Sequence, residues 1–466
     1  MKIAFHGAAQ TVTGSKHLIS LNNGEKILLD CGMFQGMGSK TTALNKEWGF
    51  DPREVSCVIL SHAHIDHSGL LPKLVKDGFK GEIYATPPTV DVAKVLLKDS
   101  AYIQKQDISY LNKRRKEQGK ELLEPLYTEE DVEKTIERFV SVSYNKKTKR
   151  DENITFEFFD VGHIIGSATT YLTLKEDNKI TTVVYSGDVG RYSDPILHSP
   201  QVFPQADYVI IESTYGDKVH PPMESYAEDL YENIIETCIN KKGKLIIPAF
   251  SVGRTQEILY GLNDLELEGR LPDIKYYLDS PMSTKVTHIV KQHSECFNRS
   301  VQKLMLKDMD PFDFKGLTYI ADKRESQALN SNYSPMVIIS ASGMAEAGRV
   351  KHHIANSIEN WRNTILLMGY CEPQSLGGRL KLHPENVTIF GKPYSVKADI
   401  KSIDSMSAHA DYNDLSQYLA SQNPTEVKRL FIVHGEPTVQ REFKRRLQKK
   451  GFNDIQIPEI HQEYGL

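Results

Sequence analysis

Ser61-His62-Ala63-His64-Ile65-Asp66-His67-Ser68-Gly69 is the stretch whose reading governs the rest of the chain. It follows the apolar run VSCVIL, ending at Leu60, and precedes LLPKLVKDG, whose apolar spacing is helical, so it occupies a strand-to-helix loop. Three imidazoles and a carboxylate between positions 62 and 67 are a costly composition for a loop with only a structural role. In extended backbone, residues two apart project to the same side, so His62 and His64 can grip one cation together. Asp66 and His67, at the turn into the helix, can face a second. Neutral imidazole with carboxylate suits Zn²⁺, and Mn²⁺ or Fe²⁺ is compatible with the same ligand types.

The chain around this loop has 466 residues, with 57 Lys+Arg against 61 Asp+Glu and a hydrophobic fraction of 39%. At roughly 150 residues per domain the length corresponds to about three domains or two large ones. The composition excludes a collagen-like, disulfide-scaffold or wholly disordered chain. Cys31, Cys57, Cys238, Cys296 and Cys371 are scattered with no C-x-x-C pair. They exclude a cysteine zinc knuckle and fit reduced thiols of a cytoplasmic protein. Met1 to Gln10 has no continuous apolar core of the signal-peptide kind, and no apolar run approaches the ~18 residues of a membrane span. The expectation is a soluble cytoplasmic protein without a membrane partner. The formal net charge of −4 gives no sign of a polyanionic partner. Charge averaged over a surface does not, however, decide the field inside one cleft.

Outward from the loop, short β-branched runs open the chain (KIAFHG, KHLISL, KILLDCG), and EIYA follows as a strand. A long helical stretch runs from Pro88 to about Gly119 and ends in Lys113-Arg114-Arg115-Lys116, read as a solvated helix face. TEEDVEKTIERFV is a second helix with Thr128 as its N-cap. The strands ITFEFFD, TTYLTL, KITTVVYSGD and DYVIIES come next. From about Tyr215 strand-then-helix units take over, which predicts a parallel α/β sheet. Near Lys397 the strand KADIKSI is expected to return the chain to the first domain.

The H-x-H-x-D-H run resembles the metal-binding motif of the metallo-β-lactamase superfamily, and the remaining motifs follow in order. Asp30, ending KILLD, matches the acid that orients metal-ligating groups. His163 in Gly162-His163-Ile164-Ile165-Gly166-Ser167 and Asp188 in Ser186-Gly187-Asp188 match the third and fourth motifs. Glu212 in Glu212-Ser213-Thr214-Tyr215-Gly216, His409 in Ser407-Ala408-His409-Ala410-Asp411 and His434 in Val433-His434-Gly435-Glu436 look like motifs A, B and C of the β-CASP nucleases. IPAFSVGRTQE, YLDSPMS and ISASGMAEAGR are similar to that family's inserted domain. His rather than Val at the third of these motifs resembles the RNA-cleaving members. The chain is similar to the ribonucleases related to the pre-mRNA 3′-end endonuclease and its short bacterial homologues.

The resemblance implies an α/β protein: an αββα sandwich over residues 1–214 and 397–466, with an α/β domain inserted at 215–396. It implies a two-metal site where these domains meet, with two Zn²⁺ ions. His62, His64 and His163 would hold one ion, Asp66, His67 and His434 the other, and Asp188 would bridge them. Glu212 ends an apolar strand, where a carboxylate must be paired or protonated. By resemblance, Glu212 and His409 would protonate the leaving oxygen. The substrate implied is single-stranded RNA, cut endonucleolytically or also from the 5′ end, and a second copy of the chain is a candidate partner. Ser340, Ser342 and Gly343, in a turn leading towards a helix, with Arg349, His352 and Arg254, are the candidate phosphate contacts. His352 and His353 are adjacent on a helical pattern and so point in different directions. A different hydrolase of the superfamily and a non-catalytic RNA-binding subunit are the competing readings. The former usually lacks the inserted domain, and the latter loses ligands that this chain retains.

Overall fold

A computed structural model describes residues 1–221 and 226–466. These fall into two compact units: Met1–Tyr192, His198–Val219 and His409–Leu466 form the first, and Ser193–Leu197 with His220–Ala408 the second.

The first unit is built on two sheets of seven strands. One runs Gln462–Gly465, Lys2–Phe5, His17–Ser20, Lys26–Leu29, Cys57–Ile59, Glu82–Ala85, Phe139–Ser141. The other runs Ile455–Gln456, Arg429–Ile432, Tyr208–Ile211, Lys179–Tyr185, Ala168–Glu176, Ile154–Asp160, Thr148–Lys149. Alternation of apolar residues explains the layering. Ile27, Leu29, Val183, Tyr185, Ile210 and Phe431 share one core cluster between the sheets with Phe5, Phe156 and Leu172. Their neighbours in sequence face outwards instead. Leu28 and Val58 pack with Leu71, Leu74, Val90 and Leu97 of the helices on one side, and Val184, Val209 and Ile211 pack with Leu415, Phe443 and Leu447 on the other. Two apolar faces per central strand therefore make four layers, helix–sheet–sheet–helix.

The helices start where the sequence signals placed them. Thr128 accepts from the Asp131 amide while the Asp131 side chain returns to the Thr128 amide, a capping box. The helix Pro87–Glu117 carries the Lys113–Lys116 run on its exposed end. The last strand, Gln462–Gly465, pairs antiparallel with Lys2–Phe5 and has no strong sequence signature, being polar and short.

The second unit holds a six-stranded parallel sheet in the order Leu317–Tyr319, Lys275–Leu278, Met336–Ser340, Lys244–Pro248, Thr364–Met368, Asp399–Ile403. The last strand departs from expectation. Asp399–Ile403 pairs in parallel with Thr364–Met368 along its whole length, so it completes this sheet, and the chain rejoins the first unit only at His409. Its polar alternation, with Ile400 and Ile403 inward, is that of an edge strand and does not reveal which sheet it joins.

Candidate metal centre

All the site residues but His409 lie where strands of the first unit end. Asp30 follows Lys26–Leu29, the Ser61–His67 loop follows Cys57–Ile59, and Asp188 follows Lys179–Tyr185. Glu212 follows Tyr208–Ile211, and His434 lies just beyond Arg429–Ile432. Asp30 and His434 adopt φ of 57° and 50°, a left-handed conformation that non-glycine residues rarely hold without support. Gly32 passes so close to the loop that a Cβ there would lie 1.6 Å from the Asp66 carbonyl oxygen.

Two donor sets carry the loop residues, and a third group, Asp188, Glu212, His409 and His434, overlaps them. His62 Nε2 is 3.1 Å from His64 Nδ1, and His163 Nε2 is 3.3 Å from the same atom. His62 Nε2 and His163 Nε2 lie 3.5 and 3.6 Å from Asp188 Oδ2. In the second set His67 Nε2 is 3.4 Å from His434 Nε2, His434 Nε2 is 3.5 Å from Asp66 Oδ2, and His67 Nε2 is 3.2 Å from Asp188 Oδ1. A tetrahedral zinc with bonds of ~2.0–2.1 Å puts its ligands about 3.3 Å apart. The separations in both sets are therefore those of ligands around one small cation. Asp188 Oδ1 is buried and accepts no hydrogen bond of proper geometry, which leaves a lone pair for a cation. The donor chemistry and the spacing fit a metal at each set.

In His62, His67 and His434 the other ring nitrogen is fixed from behind. Asp30 accepts from Ser61 N and Ser61 Oγ, both at 2.7 Å, and from His67 Nδ1 and Tyr185 OH, both at 2.6 Å. Ser61 Oγ is 3.0 Å from His62 Nδ1, and Thr214 Oγ1 is 3.0 Å from His434 Nδ1. Each such contact directs Nε2 of the same ring towards the donor set.

Glu212 is fully buried. It accepts from the amides of Val189 (2.7 Å) and Thr214 (3.1 Å), and its Oε1 is 3.2 Å from His409 Nδ1. This partnering resolves the cost of a carboxylate at the end of an apolar strand. His409 also lies 3.9 Å from Asp188 Oδ2.

The electrostatics follow burial against neighbours. Burial works against a charge on His67, yet Asp188 and Asp30 outweigh it and raise its pKa well above the usual histidine value. His62, buried and beside His67, is pushed well below that value, and burial takes His64 down to about 4. Asp66 is lowered to about 2, its burial offset by His434 and His67. Burial disfavours charge on His409 as well, but Glu212 brings it up to about 9. His67 thus favours positive charge among anionic oxygens, and a cation in its set would supply that charge in place of a proton, whereas His62 and His64 are held neutral, the form that ligates a metal.

The ten residues expected at the centre lie together: Asp30, His62, His64, Asp66, His67, His163, Asp188, Glu212, His409 and His434. Sequence reading gave no role to Ser61, Thr214 or Tyr185. Tyr185 could have been found from strand alternation, which turns it inwards next to Gly187-Asp188. Lys16 was also missed. It is completely buried and donates to the carbonyls of Gly14 (2.9 Å) and Gly32 (2.8 Å), bracing the backbone against which Asp66 rests.

The candidate phosphate contacts lie in the second unit, and most are committed elsewhere. Ser340 is buried and donates to the Asp279 carbonyl. Arg254 is buried, ion-paired with Glu257 and bonded to the Met406 carbonyl. Ser342 Oγ accepts from the Ala347 amide at 3.4 Å, and Gly343 packs beneath Phe250. The Ser340–Gly343 turn is not a helix N-terminus, because the helix begins at Gly348 after a further loop. Ser340 and Arg254 therefore spend their donors on the fold and are not available to the expected clamp. Arg349 and His352 lie apart from them, on the helix Gly348–Ser357, with His352 exposed and His353 buried.

A two-sheet, four-layer unit with histidine and aspartate donors at its strand ends defines a metal-dependent hydrolase of the metallo-β-lactamase fold. Residues 15–249 match the metallo-beta-lactamase superfamily, residues 255–380 the Beta-Casp domain, and residues 393–458 the Zn-dependent metallo-hydrolase RNA specificity domain. Among similar proteins, Ribonuclease TTHA0252 of Thermus thermophilus is 36% identical over 437 residues, 94% of this chain and 93% of that protein. An RNase J-like protein of Methanocaldococcus jannaschii is 30% identical over 93% of this chain and 92% of its own length. Cleavage and polyadenylation specificity factor 73 of Drosophila melanogaster is 28% identical over 95% of this chain and 61% of its own length. The chain belongs to the β-CASP family of metallo-hydrolases, a family of ribonucleases. Among the described residues no helix is long and apolar enough to cross a membrane.

Proposed function

We propose that this protein hydrolyses phosphodiester bonds of single-stranded RNA at a centre of two divalent cations, zinc fitting best, by endonucleolytic cutting that 5′-to-3′ trimming can follow. The observation that carries this reading is the position of Asp188. Its Oδ2 joins the set of His62, His64 and His163, and its Oδ1 reaches the neighbouring set at His67 Nε2, 3.2 Å away, while the same carboxylate groups with Glu212, His409 and His434. One carboxylate spanning two donor sets suits a pair of closely spaced ions. Ions held there would supply Lewis acidity towards the phosphate oxygens and a nucleophile near neutral pH.

The chain's own groups do the rest. Asp30 fixes Ser61 and His67, and Thr214 fixes His434, so the donor nitrogens need no reorganisation as charge develops on phosphorus. Glu212, held by two amides, orients the His409 ring through Nδ1, and His409 passes a proton to the oxygen that leaves as the P–O bond breaks. The cytoplasm, where reduced thiols and RNA coexist, is the compartment this reading takes.

Metal analysis of the purified protein should find two zinc equivalents per chain. End-labelled single-stranded RNA should be cut, chelator should stop the cutting and added zinc should restore it. Two bound ions without chelator-sensitive cleavage would sink the reading, in favour of another hydrolase if RNA does not bind and of an RNA-binding scaffold if it does.

A further inference from the structure

In the second unit, two neighbouring helices face each other through polar stripes. Lys323–Ser331 presents Lys323, Ser326, Gln327 and Asn330, spaced i, i+3, i+4 and i+7; Gly348–Ser357 presents Arg349, His352 and Asn356, spaced i, i+3 and i+7. Packed helices normally close such a seam with apolar side chains. Here it opens into a cavity of about 280 Å³ lined by those seven residues, none of them acidic.

The floor of the cavity is saturated. Asp279, fully buried, accepts from Ser326 Oγ, His353 Nε2 and Arg349 Nη1. Arg349 also donates to the carbonyls of Ile320 and Ala321, so its guanidinium is locked in place and ion-paired with that carboxylate. The walls are not saturated. Among the described residues the Lys323 ammonium, the Gln327 amide and the Asn356 carbonyl oxygen meet no protein partner. His352 uses its ring only to stack on Phe390, with centroids 4.5 Å apart and planes at 29°. Phe390 is half-exposed, at the turn between the strands Asn386–Ile389 and Lys392–Ser395. Burial, His353, Lys323 and Lys351 all lower the His352 pKa, as expected where the surrounding field is positive. Lys351 is paired with Glu346, and its ammonium also lies 5.4 Å from the Phe390 ring centroid.

We propose that this cavity is an accessory subsite for single-stranded RNA, taking a backbone phosphate between Lys323 and Arg349 while the Phe390–His352 stack offers a face to a neighbouring base. The volume admits a phosphate with its sugar, and cationic walls beside an exposed aromatic are the combination that tracks single strands without reading their sequence. The inference rests on the ribonuclease reading above.

The test is fluorescence anisotropy with the zinc-loaded full-length protein and a phosphorothioate-linked 20-nucleotide RNA, at several salt concentrations. Lys323→Ala should weaken binding about tenfold and make the log Kd against log salt slope shallower by about 0.7, the loss of one single-strand phosphate contact. Phe390→Ala should weaken binding roughly tenfold with the salt slope unchanged, and Lys323→Arg should restore the slope. Both side chains are exposed, and equal thermal midpoints check folding. Wild-type affinity and slope in both alanine variants overturns the subsite while leaving the ribonuclease reading intact. If adenosine monophosphate binds and Lys323→Ala abolishes that binding without touching RNA affinity, the cavity is a free-nucleotide site and the proposal falls. A loaded wild-type protein that does not bind RNA overturns both.

Discussion

Replacing Asp30 by Asn tests the centre where it is most constrained. Asp30 is wholly buried and is met by four donors: Ser61 N at Oδ1, and Ser61 Oγ, His67 Nδ1 and Tyr185 OH at Oδ2. A carboxylate satisfies all four because it brings no donor of its own. An amide of the same shape cannot. With its oxygen at the Oδ2 position it keeps three partners and turns its NH₂ on the Ser61 amide; reversed, it opposes three donors at once. The better orientation loses one charge-assisted bond, about 1.5–3 kcal/mol, and weakens the other three. The strain lands on the two residues Asp30 steers. Ser61 supports His62, which belongs to one donor set, and His67 belongs to the other.

Zinc affinity should therefore fall at both sets, by about 10–100-fold, the usual cost of removing a group that orients a ligand. The assay is zinc bound per chain, by mass spectrometry, across a series of chelator-buffered free zinc concentrations. Tyr185→Phe is the control: it removes one bond, worth about 1 kcal/mol, and leaves the carboxylate, so its loss should be smaller. An Asp30→Asn protein that binds both ions as tightly as wild type would refute the idea that Asp30 organises the centre.

Asp188→Ala should abolish tight binding at both sets together and cut RNA cleavage at least about a thousandfold; retention of two ions and full cleavage would overturn the shared-carboxylate reading. Glu212→Gln should keep two zinc ions but lose about 10²–10⁴ in kcat, the usual worth of a positioned proton donor, and an unchanged kcat would remove the Glu212–His409 pair from the mechanism. Because Asp188 and Asp30 raise the pKa of His67, a cation in the second set must displace a proton. Its affinity should therefore tighten about tenfold per pH unit while His67 is protonated, and calorimetry showing no pH dependence would contradict this. Lys16 is lowered from 10.5 to about 7, burial being the main cause. Between those values the unfolded chain binds the extra proton, so wild-type stability should climb with pH by up to about 5 kcal/mol, and Lys16→Met should flatten that rise in thermal midpoint measured from pH 7 to 10.

What could be read from the sequence divides by the range over which each residue acts. The Ser61–Gly69 loop was legible because spacing alone assigns His62 and His64 to one side and Asp66 and His67 to the other, and the two donor sets repeat that partition. The alternating strands were legible for the same local reason. Asp399–Ile403 was not, since its pattern fits an edge strand in either unit and its partner lies more than thirty residues upstream. Lys16 was hidden because a lysine ordinarily signals surface, and only backbone carbonyls brought in from Gly14 and Gly32 make its burial tolerable. Two of the expected phosphate contacts were misleading for a related reason. Ser340 and Arg254 have the right chemistry for an anion, but Asp279, Glu257 and Met406 had already taken their donors.

The same distinction between owning a charge and presenting it explains how a chain with an acidic excess can handle RNA. The formal charge is −4. Asp30, Asp188, Glu212 and Asp279 are each exposed by 1% or less, and Lys16 is the one Lys or Arg among the described residues buried as deeply, so burial removes most of the excess, a net three negative charges, from the surface. Three of the carboxylates face histidines or Ser61 and Tyr185 in the metal centre, and the fourth is bound by Ser326, His353 and Arg349. None faces solvent as a bare anion, and cations in the donor sets would add positive charge to the side that substrate meets. What an approaching phosphate encounters is thus set by Lys323, Arg349 and the metal centre, and the salt dependence of RNA binding should follow those few local charges while surface substitutions that alter only the net charge leave it nearly unchanged.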